Sequence, residues 1–488
     1  MDQKTQSDLV FRCLEASFQK IDGLDNVLYD EHLIEACLKI DEESTGFNVL
    51  TALEQWRALL AVTLKLQSNG VLTAFSSLLL NQWRHLRTVA PWPEFQLVLA
   101  YQAVIAVLLD TPWKELEISQ FPSGACSTDT SGYSLSGEVP QPVFHAELGS
   151  LLFLYAKITS STHILAAALR LTEWQKNTLD HACVPFCGLF AKEGEISEKS
   201  LIIHNFLLFN AAGKTSEEFK SIAQNLYQQI ESQNLFDIPA YLVALSKVFP
   251  LDAAEDNQAQ SLLLSSIEDT SIGLVGFRSP TFSGVSALFG RGSGMGCIHA
   301  GDVRIVCLGP QYMPLNDCRG FGIDGDGRLL KNYLKDVHTG DNQSVIKGTS
   351  RMVSASLKND FFTSGASGIW IDVQQTWKDK EMKLEVMFRE VLEREALAFS
   401  FFVRAQICKM ENGKIIKRRS LNRYLGPSTF IHFEGETSSL ALISEEQHEE
   451  MHIIPLGGGD NFWGADFLVS YLLHPGSSHF KWTFRFID

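Results

Sequence analysis

Long apolar runs are missing from this 488-residue chain. No stretch reaches the 18 or so apolar residues that a helix needs to cross a bilayer, so neither a span nor a membrane partner is expected. The N-terminus, MDQKTQSDLVF, lacks the basic region and apolar core of an export signal. Basic charge is scarce as well. Lys and Arg total 41 against 57 Asp and Glu, a net charge of −16. That balance argues against a nucleic-acid partner, because neutralising phosphates takes basic clusters. The one basic run, Lys414-Ile-Ile-Lys-Arg-Arg419, adjoins an Asn412-Gly413 turn and reads as the solvated end of a hairpin. The nine cysteines are odd in number and scattered, so they offer no paired framework. Without an export signal they read as reduced thiols of a cytoplasmic protein, although export without a cleavable signal stays open.

A Gly-Lys-Ser/Thr motif is absent too, which bears on the most glycine-rich stretch, residues 283–322. Gly290, Gly292, Gly294 and Gly296 alternate along it, and Gly301 follows. A phosphate-cradling loop must open a helix, whose N-terminus holds the anion. This one leads instead into CIHAGDVRIVCLG, β-branched residues around an Ala-Gly-Asp turn, which is a hairpin signal. The glycines are therefore assigned to strand bends and bulges.

What is present changes rhythm near residue 270. Residues 5–270 carry helical periodicity. Phe219, Ile222, Ala223, Leu226 and Ile230 form one apolar stripe behind Thr215-Ser-Glu-Glu218, which has the spacing of a capping box. Gly213 ends the helix before it, and the short connection predicts two antiparallel helices. The segment HAELGSLLFLYAKI and the one opening at His163 repeat this shape about fifty residues upstream, a helical-hairpin array. Earlier helices are predicted over 6–20, 28–40, 47–67, 71–87 and 93–110. Residues 118–142, rich in Ser, Gly, Thr and Pro, read as a linker in preference to a lid.

Beyond 270 the side chains alternate. Strands are predicted around 370–377 and 384–388, over 396–410 and 415–421 about the Asn412-Gly413 turn, and at five later places up to 480–486. The fold class is α+β: an N-terminal helical-hairpin array, a partial α/α toroid, over 1–270, and a C-terminal antiparallel β-supersandwich over 271–488. The glycine cluster at 457–464 is assigned to a strand corner, with a sugar platform on Trp463 as the second choice.

This layout, carried by HAELGSLLFLYAKITSSTHILAAALRLTEWQKNTLDHACVPFCGLF and by SALFGRGSGMGCIHAGDVRIVCLGPQ, resembles the α/α-toroid polysaccharide lyases and related glycosidases. Heparinase-like and hyaluronate-lyase-like enzymes are nearest in kind. The resemblance implies β-elimination from a uronate, which needs a group that neutralises the sugar carboxylate and one that moves the C5 proton. Asn205 or Arg291 are the candidates for the first role; His204, His299 or Tyr312 for the second. Trp174, Trp463 and His299 are candidate substrate contacts. His204 and Asn205, adjacent on a helix, point about 100° apart and do not face one site together. A hydrolase would instead pair two carboxylates about 5–10 Å apart, and Glu147, Asp180, Asp324 and Asp326 are available. The acids at 322–328 lack the remaining ligands of a calcium loop. His181, Cys183 and Cys187 have no second cluster to complete a zinc site. No metal and no cofactor are expected. The implied function is a carbohydrate-active protein, lyase or hydrolase, or one that retains glycan binding alone. The alternative is a non-enzymatic interaction protein with a protein partner, using a helical groove and a sandwich face.

Overall fold

The computed structural model describes residues 49–89, 95–126, 141–189, 198–235, 239–249, 265–287, 295–312, 327–329, 334–340, 343–358, 361–391, 397–445, 451–456, 461–473 and 476–487. The predicted helices at 6–20 and 28–40, Arg291, Asp324, Asp326 and most of the 118–142 segment lie outside them. The chain divides into two compact units. One is Met1–Thr130 with Val143–Gln175 and Ile202–Gln260; the other is Ser131–Pro142 with Lys176–Leu201 and Ser261–Asp488.

The described helices are α1 (Val49–Ser68), α2 (Leu72–Val89), α3 (Gln96–Leu108), α4 (Pro142–Thr159), α5 (Thr162–Gln175), α6 (Glu198–Ala212), α7 (Glu217–Ser232) and α8 (Ala240–Val248). In the first unit α1 packs against α2, α3 and α8. The expected stripe of α7 is the buried one, Phe219, Ile222, Ala223, Leu226 and Ile230. Its rings fix the pairing with α6: Phe209 meets Phe219, and one turn back Phe206 meets Tyr227, which is antiparallel order. α3 is apolar nearly all round and correspondingly buried. Polar groups in such helices must find partners inside, and this requirement builds the site below.

The capping box does not form. Ser216, not Thr215, is the N-cap residue of α7, and its side chain makes no capping bond. The Thr215 hydroxyl donates back to Ala212 O at 2.7 Å, so the end of α6 has taken it. None of the described helices is long and apolar enough to cross a membrane.

The second unit holds two large antiparallel sheets. In hydrogen-bonded order the first runs Ser265–Asp269, Leu274–Arg278, Ser283–Ala287, Gly296–Ala300, Val303–Tyr312, Leu397–Arg404, Phe467–Leu472, Met451–Pro455, Tyr424–Gly426. The second runs Ile415–Lys417, Ile407–Met410, Phe430–Glu434, Ser439–Ser444, Gly476–Ile487, Glu381–Val391, Phe361–Lys378, Gln343–Lys358, Gly327–Leu329, with Leu334–Gly340 also paired to Gln343–Lys358. Period-two burial decides the faces: Met382, Leu384, Val386 and Phe388 are buried between exposed or half-buried neighbours. Trp482 of the second sheet touches Phe399, Phe401 and Tyr471 of the first at 5.1–5.2 Å between ring centres and stacks on Phe480 at 5.0 Å. These rings bury large apolar areas in favourable edge and offset geometries.

The predicted strand over 396–410 is in fact two. Leu397–Arg404 belongs to the first sheet and Ile407–Met410 to the second. The crossing falls at Ala405-Gln406, where the Ala405 amide donates to Asp466 and the Gln406 amide to Glu434 O. Apolar rhythm continues through the crossing because both flanking strands are buried, so the sequence carries no mark of it.

The glycine stretch is strand and turn where it is described. Gly301, at φ +63°, turns the chain between Gly296–Ala300 and Val303–Tyr312, and a bulge lies between Gly296 and Ile298. Gly284 lets the Trp377 indole of the other sheet lie on the backbone; a Cβ there would stand 2.2 Å from the ring. Gly284→Ala is expected to destabilise the protein by about 1–3 kcal/mol, read as a lower urea midpoint at unchanged slope.

Candidate functional site

Four polar side chains from four other helices of the first unit meet around Glu147 of α4. Its carboxylate is fully buried and receives the Arg57 guanidinium side-on, Nε to Oε1 at 2.8 Å and Nη2 to Oε2 at 2.5 Å. The Tyr101 hydroxyl donates to Oε1. His204 Nε2 stands 3.9 Å from Oε2 and 2.8 Å from the Tyr241 hydroxyl. The Tyr241 ring lies under the Arg57 guanidinium, 4.8 Å from its centre, a cation–π contact that holds the planar group in place. The cluster reaches water on one side: Arg57 Nη1 also donates to Glu54 at 2.5 Å, and the Glu54 side chain is 65% exposed.

Electrostatics assigns protonation states. Burial alone would raise the Glu147 carboxyl, but Arg57, with help from His204 and Tyr101, brings it below the usual carboxylate range. Burial and then the Glu147 charge push both phenols, Tyr101 and Tyr241, well above their ordinary value, against the pull of Arg57. Glu147 is thus the anion, Arg57 the cation, and both tyrosines hydroxyl donors.

A second network lies on the neighbouring faces of α4, α5 and α6. The Cys126 amide donates to His145 Nε2 at 3.1 Å, so the ring proton is on Nδ1, which lies 2.6 Å from Gln175 Oε1. Gln175 Nε2 donates to Asn205 Oδ1 at 2.9 Å. Burial lowers His145 to about 3, so the ring is neutral. Trp174 covers it at 4.6 Å. His204 and Asn205 therefore serve separate networks, as their 100° separation on a helix requires.

In the second unit His299 is buried and its Nδ1 lies 2.8 Å from Asp180, beneath the Phe186 ring at 4.7 Å. Burial lowers its basicity, with Asp180 opposing. Close by, Arg304 and Arg404 both hold Glu198. Trp463 is buried edge-on against Phe402 at 5.0 Å. Tyr312 is the last residue of Val303–Tyr312; its side chain, like Arg291, lies outside the described residues. Among the described residues no group of three or more His, Cys, Asp and Glu is placed to hold a metal ion.

No protein-family model matches the sequence, and no curated protein matches it. Solved structures do. Paenibacillus xanthan lyase superposes with a TM-score of 0.51 at 9% identity, over 99% of this chain and 54% of that one. Heparinase III gives 0.51 at 10%, over 94% and 74%. Streptomyces coelicolor chondroitin AC lyase in complex with chondroitin sulphate gives 0.51 at 9%, over 95% and 70%. The chain has a polysaccharide-lyase-like fold. It spans about half the length of the xanthan lyase.

Within this lyase-like fold, the helical unit brings together one residue the sequence singled out for proton transfer, His204, and one it named as a candidate carboxylate of a hydrolase pair, Glu147. Sequence reasoning missed Arg57, Tyr101 and Tyr241. Each is a polar residue inside a mostly apolar helical run, LEQWRALLAV, LVLAYQAVIAVL and AYLVAL. That signal marks a buried partner to be found, but not which one.

Proposed function

We propose that the chain is a carbohydrate-active protein of the polysaccharide-lyase type, with its helical segments forming a partial α/α toroid and its two sheets, which open at Ser265 and not at the expected 271, a β-supersandwich. The observation that carries this reading is the His204–Tyr241 hydrogen bond at 2.8 Å, set beside the Arg57–Glu147 pair. In β-elimination a base takes the C5 proton, the C4–O bond breaks, a C4=C5 double bond forms and the departing oxygen gains a proton. His204 is the base of this reading, and the Tyr241 phenol, its proton retained, is the donor to the leaving oxygen. Arg57 is held by Glu147 on one edge. Its other edge carries the exposed carboxylate of Glu54, which stands where the uronate carboxylate of a substrate would lie.

The test is the absorbance of unsaturated uronates after incubation with a panel of uronate polymers. A signal lost in His204→Ala supports the lyase reading. Glu54→Gln is expected to lower KM, because a competing carboxylate is removed. A flat trace on every polymer with folded protein removes the reading.

One observation favours a second version, in which the site binds glycan without turnover: Glu147 already neutralises Arg57 inside the protein. Calorimetric binding of the same polymers with no absorbance change identifies that case. Absence of both supports the non-enzymatic interaction protein.

A further inference from the structure

The basic run, expected as the solvated end of a hairpin, carries more than charge. Ile415–Lys417 is the terminal strand of the second sheet, and Tyr424–Gly426 is the terminal strand of the first. Residues 418–423 join them, so two sheet edges and their link form one surface. Lys414 ties its ends together, donating to Arg423 O at 3.3 Å and lying 4.9 Å from the centre of the Tyr424 ring. On this surface Leu421 is 98% exposed, Leu425 68% and Ile415 51%. Lys414, Lys417, Arg418, Arg419 and Arg423 are exposed around them. No Asp or Glu occurs between Glu411 and Glu434. Those two flanking acids are engaged, Glu411 by Thr429 at 2.6 Å and Glu434 by Lys409 at 2.5 Å. Among the described residues none of the five cations forms an ion pair.

Lysines on edge strands guard a sheet against pairing with another. That accounts for Lys417 but not for three large apolar side chains in water. A chain of net charge −16 that gathers five cations on one tip is strongly polarised; Asp466 is within electrostatic reach of Arg418 and Arg419 but forms no ion pair with them. An acidic glycan would answer the cations and leave Leu421 and Leu425 in water. An anionic bilayer answers both, because its headgroups attract Lys and Arg while its acyl boundary takes up the leucines. We propose that this tip docks the protein on an anionic lipid surface, with Leu421, Leu425 and Ile415 entering the acyl boundary and the five cations at the headgroups. The expectation of no membrane partner rested on the lack of a span, and peripheral docking needs none.

The experiment is co-sedimentation of the full chain with vesicles of phosphatidylcholine alone and of equimolar phosphatidylcholine and phosphatidylserine. Binding is expected to the mixed vesicles only, weakening as salt screens the cations. Leu421→Ser/Leu425→Ser is expected to weaken it about tenfold by withdrawing apolar area from the acyl boundary. Lys417→Glu/Arg418→Glu/Arg419→Glu should abolish it. All five positions are exposed, so circular dichroism and Tm stay as in the parent. Failure to bind mixed vesicles overturns the proposal, as does vesicle binding that neither set of substitutions alters. Retention on a chondroitin sulphate resin in place of vesicle binding, lost on charge reversal and indifferent to the leucines, would assign the tip to glycan and overturn it equally. None of these outcomes depends on activity at His204 and Tyr241.

Discussion

Glu147→Gln is expected to cost the protein about 3–5 kcal/mol of stability, because it removes the buried counter-charge of Arg57 and leaves that cation only the exposed Glu54 carboxylate. Most single substitutions cost far less, and the total available to a domain is about 5–15 kcal/mol. Arg57 is only 11% exposed, and the partner it would keep, Glu54, is 65% exposed and screened by water. The Tyr101 hydroxyl loses its anionic acceptor in the same change. Chemical denaturation measures the effect. The companion variant Arg57→Met/Glu147→Gln should recover most of the loss, since removing both charges leaves nothing unpaired. A Glu147→Gln protein that unfolds at the parent's midpoint would show that the pair does not hold the helices together.

The same pair sets an acid limit. The folded Glu147 carboxyl lies below its unfolded value, which is about 4.3. The stabilisation is therefore fully present above that value and is lost as pH falls through the folded one. The parent should lose helical signal steeply below pH of about 4. Glu147→Gln, already destabilised, should show a shallower acid limb because it has no proton to take up there.

Why so much of the fold was legible, and so little of the site, follows from what each depends on. Helix and strand are local rhythms. The α7 stripe from Phe219 to Ile230 and the alternation of Met382, Leu384, Val386 and Phe388 are written in consecutive residues. The crossing at Ala405-Gln406 was hidden because the run stays apolar on both sides, and the lost capping box because Thr215 had a nearer acceptor in Ala212. The site depends on contacts between helices. Glu147 lies 90 residues from Arg57 and 46 from Tyr101 in sequence, and His204 lies 37 from Tyr241. No local pattern pairs residues over such intervals. Helical geometry did supply one true constraint, that neighbours His204 and Asn205 serve different partners. It could not say that Asn205 is held by the Gln175–His145 chain, which ties helices together.

Tyr241→Phe is the substitution that separates catalysis from architecture. It removes one oxygen, keeps the ring beneath Arg57, and forfeits one buried hydrogen bond worth about 1 kcal/mol of stability. If the phenol delivers the proton to the leaving oxygen, elimination should slow by about 10²–10⁴-fold. Polymer affinity should stay near the parent's, because the ring stays in place and the Arg57 edge is untouched. The pH profile gives an independent check. Burial and the Glu147 charge hold the Tyr241 proton well above its ordinary range. A donor of that kind gives no alkaline fall in rate below pH of about 10. A fall near neutrality would show that the essential acid is a group that loses its proton there, and would take the donor role away from Tyr241. Unchanged turnover in Tyr241→Phe would move the chemistry elsewhere and leave the cluster as the keystone of the helical packing alone.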